Sequence, residues 1–258
     1  MLKRIKQFLK RIITLGSPKQ SQTEISKYPY EHFEPEYGIR FNINNPIEEF
    51  RLKGWGGEKK YVQQILGELK KDDIFFDIGS SVGLISVLAA KVIENGKVIS
   101  FEPDSENIMR LKENYKINSL NNYLIKTLAV GEKKGKMNLY TAGSNAFSPS
   151  LQQVNGIDTF IEVEIDSIDN MLEAGTIPYP TAIKIDIEGA EMMALRGMQF
   201  LLSSSKRPRL IFVEIHPEFL PAFNTSTEEI FEYLKKFDYE LAENVQRDKQ
   251  ILCKLLRN

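Results

Sequence analysis

Charged residues able to do chemistry collect at the ends of apolar runs. Residues 182–191 read Ala-Ile-Lys-Ile-Asp-Ile-Glu-Gly-Ala-Glu. Side chains alternate between the faces of a strand, so Lys184, Asp186 and Glu188 share one face and Ile183, Ile185 and Ile187 the other. Charges in a buried strand are costly unless paired, and Lys184, the deepest, is expected to meet an acid from a neighbouring strand. Asp186 and Glu188 fall at the carboxyl end, where parallel sheets bind ligands. Gly189 permits a close turn, and Glu191 sits in the first turn of the next helix, which favours negative charge. Residues 210–217, Leu-Ile-Phe-Val-Glu-Ile-His-Pro, form a second such run, with Glu214 and His216 on one face at its end. His216 is one of only two histidines. Its place beside two acids predicts a direct part in catalysis or substrate binding, whereas His32 reads as a surface residue.

Residues 72–103 predict a cofactor site. An apolar strand runs into Asp77 and Gly79, a glycine turn follows through Ser80 and Ser81, and a helix starts near Gly83. A second strand then ends in Glu102 and Pro103. Such a unit holds an adenosine-type cofactor at the carboxyl ends of parallel strands. The glycines are spaced G-x-x-x-G, without the G-x-G-x-x-G of dinucleotide sites. A pyrophosphate needs bare backbone N–H groups at a helix N-terminus, and Asp77 would repel it there. S-adenosylmethionine has no phosphate and carries an ammonium group that an acid helps hold. Glu102 is placed to bind ribose hydroxyls, through charge-assisted hydrogen bonds worth about 1.5–3 kcal/mol each. Ala129, in the turn Ala129-Val130-Gly131, is expected beside the adenine. Two competing readings are a non-catalytic scaffold that keeps the fold and an NAD-dependent oxidoreductase, which Asp77 argues against.

The elements that must position these residues alternate. Strands are predicted over residues 73–78, 97–102, 122–127, 181–187, 209–215, 239–243 and 250–255, and helices over 58–70, 83–94, 104–118, 166–173, 190–202 and 226–237. Alternation of this kind implies an α/β fold, a mostly parallel seven-stranded sheet with helices on both faces. The last two strands are too close for a crossover, so an antiparallel C-terminal hairpin is expected. Residues 136–140 and 160–165 read as two extra strands flanking a small-polar loop, 141–159, that is a candidate to face substrate.

The 258 residues, 42% hydrophobic, suffice for one large α/β domain. A net charge of −1 does not favour a nucleic-acid partner. The single cysteine, Cys253, excludes an intrachain disulfide and fits a reducing cytoplasm. Residues 1–13 carry Lys3, Arg4, Lys6, Lys10 and Arg11, no acids, and an apolar face at helical spacing. That pattern suits a helix lying on an anionic membrane surface, here the inner face, or one docked on the domain or a partner. Residues 1–50 are read as this basic amphipathic helix and an irregular, proline-bearing linker, and residues 51–258 as the catalytic domain.

These motifs together resemble the FkbM-type methyltransferase family. The resemblance rests on Phe-Asp-Ile-Gly-Ser-Ser-Val-Gly at 76–83, Phe-Glu-Pro at 101–103, Leu-Ala-Val-Gly-Glu at 128–132, Lys-Ile-Asp-Ile-Glu-Gly-Ala-Glu at 184–191 and Val-Glu-Ile-His-Pro at 213–217. Ser80-Ser81 departs from the family's usual Ala-Asn. The resemblance implies a Rossmann-like class I S-adenosylmethionine-dependent O-methyltransferase acting on a hydroxyl of a sugar, glycan or natural product. In-line methyl transfer to an unactivated hydroxyl needs a base, worth typically about 10²–10⁴-fold. His216 is the first choice for that base and Asp186 the second. Alternatively Asp186, Glu188 and Glu214 gather a magnesium-type ion that lowers the hydroxyl pKa.

Overall fold

The computed structural model describes residues 27–141, 149–153, 158–247 and 250–257. The basic stretch 1–13 and most of the loop 141–159 lie outside these residues. Twelve strands are described: β1 (Tyr30–Glu34), β2 (Ile39–Ile43), β3 (Ile74–Ile78), β4 (Lys97–Phe101), β5 (Tyr123–Lys126), β6 (Ala129–Val130), β7 (Gly135–Tyr140), β8 (Phe160–Asp166), β9 (Ala182–Ile185), β10 (Leu210–Ile215), β11 (Tyr239–Arg247) and β12 (Gln250–Arg257). The main helices are α1 (Lys59–Glu68), α2 (Leu84–Val92), α3 (Ser105–Ile117), α4 (Ile168–Glu173), α5 (Glu191–Arg196), α6 (Gln199–Ser203) and α7 (Thr227–Lys235).

The central sheet has the order β11-β12-β10-β9-β3-β4-β5. Pairings from β10 through β9, β3 and β4 to β5 are parallel, and β12 is antiparallel to both its neighbours. Both faces of β9 and β10 are covered, so Ile183, Ile185, Ile211 and Val213 are wholly buried. Each such side chain contributes about 1.5–3 kcal/mol through burial. The chain runs outward from β3 to β5 and returns to β9 and β10 on the other side. The order therefore reverses between β3 and β9, the place where open α/β sheets bind ligands. The predicted parallel sheet, the C-terminal hairpin and the two extra strands, seen as β7 and β8, are all present.

Three details differ from the sequence reading. The segment read as irregular linker holds the hairpin β1–β2. Ile39, Phe41 and Ile43 alternate inward and pack with Leu88, Leu111 and Tyr115. Asn114 and Asn118 of α3 hydrogen-bond the β2 backbone at Asn42 and Arg40, so its outer edge is satisfied without a further strand. The helix expected over 190–202 is two helices, broken at Gly197. A Cβ there would lie 1.9 Å from the carbonyl oxygen of Gly131, so close approach of the adjacent turn sets the break. Strand β9 stops at Ile185, and Glu188 and Gly189 turn the chain with positive φ of 53° and 101°. Among the described residues, no helix is long and apolar enough to cross a membrane.

Candidate active site

The turn after β3 is locked to the end of β9. Gly79 has φ +81°, and a Cβ there would stand 1.9 Å from the Asp186 carbonyl oxygen. Only glycine fits this approach without displacement. Beneath the turn, Lys184 Nζ lies 3.2 Å from Asp77 Oδ1 and 3.4 Å from Asp186 Oδ2, and donates to the Gly79 carbonyl at 2.9 Å. Lys184 and Asp77 are register partners on adjacent strands, as a buried charge in that position demands. Burial alone would lower the Lys184 pKa, but Asp77 and Asp186 outweigh it and hold the ammonium charged. Asp77 also accepts from Ser86 Oγ at 2.6 Å, the start of a buried hydroxyl chain through Ser100 to Tyr115. The charge of Asp77 is thus already balanced by Lys184, which weakens both the pull on a ligand ammonium and the repulsion of a phosphate expected from sequence.

The cleft above this turn is lined by Asp77, Gly79, Ser80, Ser81, Gly83, Glu102, Pro103 and Ala129. Every predicted cofactor-binding residue therefore faces one space. Glu102 accepts from the backbone N–H of Ser81 at 2.8 Å and of Asp104 at 2.9 Å. Burial nonetheless raises its pKa from 4.5 to about 7, against the lowering by those hydrogen bonds. Two wall residues were not singled out from sequence. Arg51, in a short π-helical segment Glu49–Lys53, donates from Nη1 to Ser81 Oγ at 2.9 Å. Trp55 lies in the wall with φ +53° and donates from Nε1 to Glu34. Neither belongs to a spaced motif, so no sequence signal marked them.

Asp186, Glu188 and Glu214 line the far part of the same cleft. Asp186 is the most open of these three, with 27% of the side chain exposed against 15% for Glu188 and 4% for Glu214. Burial and the neighbouring Asp186 charge push Glu214 well up. His216 and Glu191 do not line the cleft but sit behind it. His216 Nδ1 meets Glu191 Oε1 at 2.8 Å, while Nε2 lies 3.3 Å from Glu188, 3.8 Å from Asp186 and 3.8 Å from Glu214. Burial lowers the ring's pKa, but the Glu191 hydrogen bond and the charges of Glu188, Glu191 and Asp186 carry it up to about 10. His216, the first choice of base from sequence, has one nitrogen held by Glu191, whereas Asp186, the second choice, reaches the open cleft. Glu191 opens helix α5, as expected from sequence, and is also the wholly buried partner that fixes the ring.

Residues 77–241 match the model of the methyltransferase FkbM domain. The chain belongs to this family. Among relatives, the hexuronic acid methyltransferase AglP of Haloferax volcanii is 29% identical over 185 residues, covering 70% of this chain and 71% of that protein. Solved structures similar in shape include TYW2 of M. jannaschii in complex with AdoMet, at TM-score 0.47 and 12% identity, covering 90% of this chain and 88% of that one. Another is a putative rRNA-methylase of Clostridium thermocellum, at TM-score 0.49 and 12% identity, covering 77% and 93%. At that distance neither bears on the site.

The FkbM protein is an S-adenosylmethionine-dependent methyltransferase, and the charges of its cleft suit that cofactor. Among the described residues, the lining acids Glu58, Asp77, Glu102, Asp186, Glu188 and Glu214 face two lining cations, Arg51 and Lys184. An acid-rich wall favours a ligand with sulfonium and ammonium charges and disfavours a pyrophosphate. A Glu102 carboxylate that accepts from ribose hydroxyls, as expected from sequence, would make this binding pH-dependent. Hydroxyl donors favour the ionised form of a carboxylate, so such contacts would pull its pKa down from about 7. In the free protein the raised pKa means that ionisation costs stability as pH rises from 4.5 to about 7. Affinity for S-adenosylhomocysteine should accordingly rise between about pH 6 and 8, with proton release on binding. Calorimetry in buffers of different ionisation enthalpy reads both, and a flat profile would show that Glu102 does not meet the ribose.

Proposed function

We propose that this FkbM protein methylates a hydroxyl oxygen of a sugar, glycan or natural-product acceptor, with Asp186 taking the proton. The observation that carries this reading is the placement of Asp186, the most exposed of the three carboxylates at the far end of the cleft, with its backbone carbonyl directly against the Gly79 turn. When bound, S-adenosylmethionine supplies a methyl group already activated by its sulfonium. Glu102 would hold the ribose, Pro103 and Ala129 the flank of the adenine, and Arg51 the methionine carboxylate. Ser81 and the Gly79 turn would fix the cofactor's depth, so that positioning supplies much of the rate. A divalent cation on the Asp186, Glu188 and Glu214 set is a second route to the same ionised hydroxyl, since bound metal lowers the pKa of an oxygen ligand. It is supported by the shared position of these three carboxylates in the wall of the cleft.

The relative's name supports an acceptor that carries a hexuronic acid. The basic stretch at residues 1–13 supports a peripheral contact with anionic lipid at the inner membrane face, where lipid-linked glycans would be within reach. Incubation of the protein with labelled S-adenosylmethionine and a panel of uronic-acid and neutral glycans tests the reading. Label is expected in a methyl ether of a sugar. Transfer only to a polypeptide or a nucleic acid would overturn the acceptor class.

A further inference from the structure

The acids at the far end of the cleft surround a ring nitrogen that makes no hydrogen bond. His216 is 3% exposed, and its Nε2 is buried without a hydrogen-bond partner, aimed at Glu188 and Asp186. The other nitrogen, Nδ1, is held by the wholly buried Glu191. A carboxylate that fixes the far nitrogen of an imidazole is the usual support of a metal-bound histidine, because it sets the ring's orientation and raises its basicity. Ligand atoms about 2.0–2.2 Å from a shared ion stand roughly 3–3.6 Å apart. Here Nε2 is 3.3 Å from Glu188 Oε2 and 3.8 Å from Asp186 Oδ1, and one ligand atom from each of the three residues lies within 4.8 Å of the others. Asp186 and Glu188 both reach the open cleft, which gives an ion a path to the site.

Resting on the methyltransferase reading, we propose that Asp186, Glu188 and His216 Nε2 bind one first-row divalent transition-metal ion at the acceptor end of the cleft, with Glu191 as the positioning carboxylate. The ligand set differs from the magnesium-type set expected from sequence. An imidazole among carboxylates suits manganese, iron, cobalt or zinc better than magnesium, which prefers oxygen ligands and its own waters. Glu214 is outside the set. An ion there would give the acceptor's oxygen a Lewis-acidic partner beside Asp186, and would neutralise the carboxylates that otherwise face one another.

Manganese is the probe. Titration of the full-length protein with MnCl₂, followed by electron paramagnetic resonance, should show one bound Mn²⁺ per chain. Electron spin-echo modulation should show nitrogen coupling from the imidazole. His216→Ala should abolish that coupling, and Glu191→Gln should weaken Mn²⁺ binding about 10–100-fold. S-adenosylhomocysteine affinity should stay unchanged in both variants, since neither residue lines the cleft. Absence of bound Mn²⁺, or bound Mn²⁺ with no nitrogen coupling, would overturn the site and leave His216 as a cation that balances the acids. If either variant fails to fold, the nitrogen coupling of the unaltered protein still decides. Loss of S-adenosylhomocysteine binding by the unaltered protein would instead contradict the methyltransferase reading, so the two failures are distinct.

Discussion

Asp186→Asn should lower turnover by about 10²–10⁴-fold, the range for removal of a proton acceptor from a hydroxyl reaction. Asparagine keeps the shape of the side chain but not its charge. Lys184 still has Asp77 at 3.2 Å, so the buried pair under the turn survives the change. The cofactor contacts proposed for Glu102 and Ser81 lie on other strand ends. Affinity for S-adenosylhomocysteine should therefore move by no more than about threefold, well under 1.4 kcal/mol on the tenfold scale. The discriminating readout is kcat against cofactor Kd in the same preparation. Turnover within threefold of the unaltered protein would remove Asp186 from the proton step. A parallel loss of cofactor affinity would make it a binding residue.

Lys184→Met should destabilise the fold by about 3–5 kcal/mol, because it strands two buried or half-buried carboxylates without their cation. Lys184 is 3% exposed and Asp77 1% in their side chains, so little water can replace the lost partner. The Gly79 carbonyl also loses its donor. Denaturant unfolding measures the loss. Adding Asp77→Asn should recover part of it, since the uncompensated charge then disappears, and the double-mutant cycle reports the pair's coupling. A loss under about 1 kcal/mol would mean that the Asp77 charge is satisfied by Ser86 and the turn rather than by Lys184.

Much of this site was legible because strands impose a two-residue period. A lysine deep in an apolar strand has to find an acid, and Asp77 on the neighbouring strand is that acid. Gly79, Ser81, Glu102 and Ala129 fell into one cleft because strand-end turns at a switch point must converge. The role of His216 was not legible. Its ring is held by Glu191, which is 25 residues earlier and meets it through the fold of the connection between β9 and β10. Arg51 was invisible for a related reason: it reaches Ser81 across 30 residues from an irregular turn with no period to read. The β1–β2 hairpin had a readable alternation in Ile39, Phe41 and Ile43, but the surrounding prolines and polar residues outweighed it. Its outer edge is satisfied by Asn114 of α3 and Asn118 at that helix's C-terminal cap, which no local pattern announces.

Calorimetric titration of the purified protein with S-adenosylhomocysteine, with NAD as the comparison, tests the central claim most directly. One mole of S-adenosylhomocysteine should bind per mole of protein, and NAD should give no heat of binding, because the cleft faces its ligand with Glu102, Asp186 and Glu188. Saturable NAD binding without S-adenosylhomocysteine binding would contradict the account at its root, since the reading of the glycine turn, the acid-rich wall and Asp186 as proton acceptor all depend on which cofactor the cleft takes.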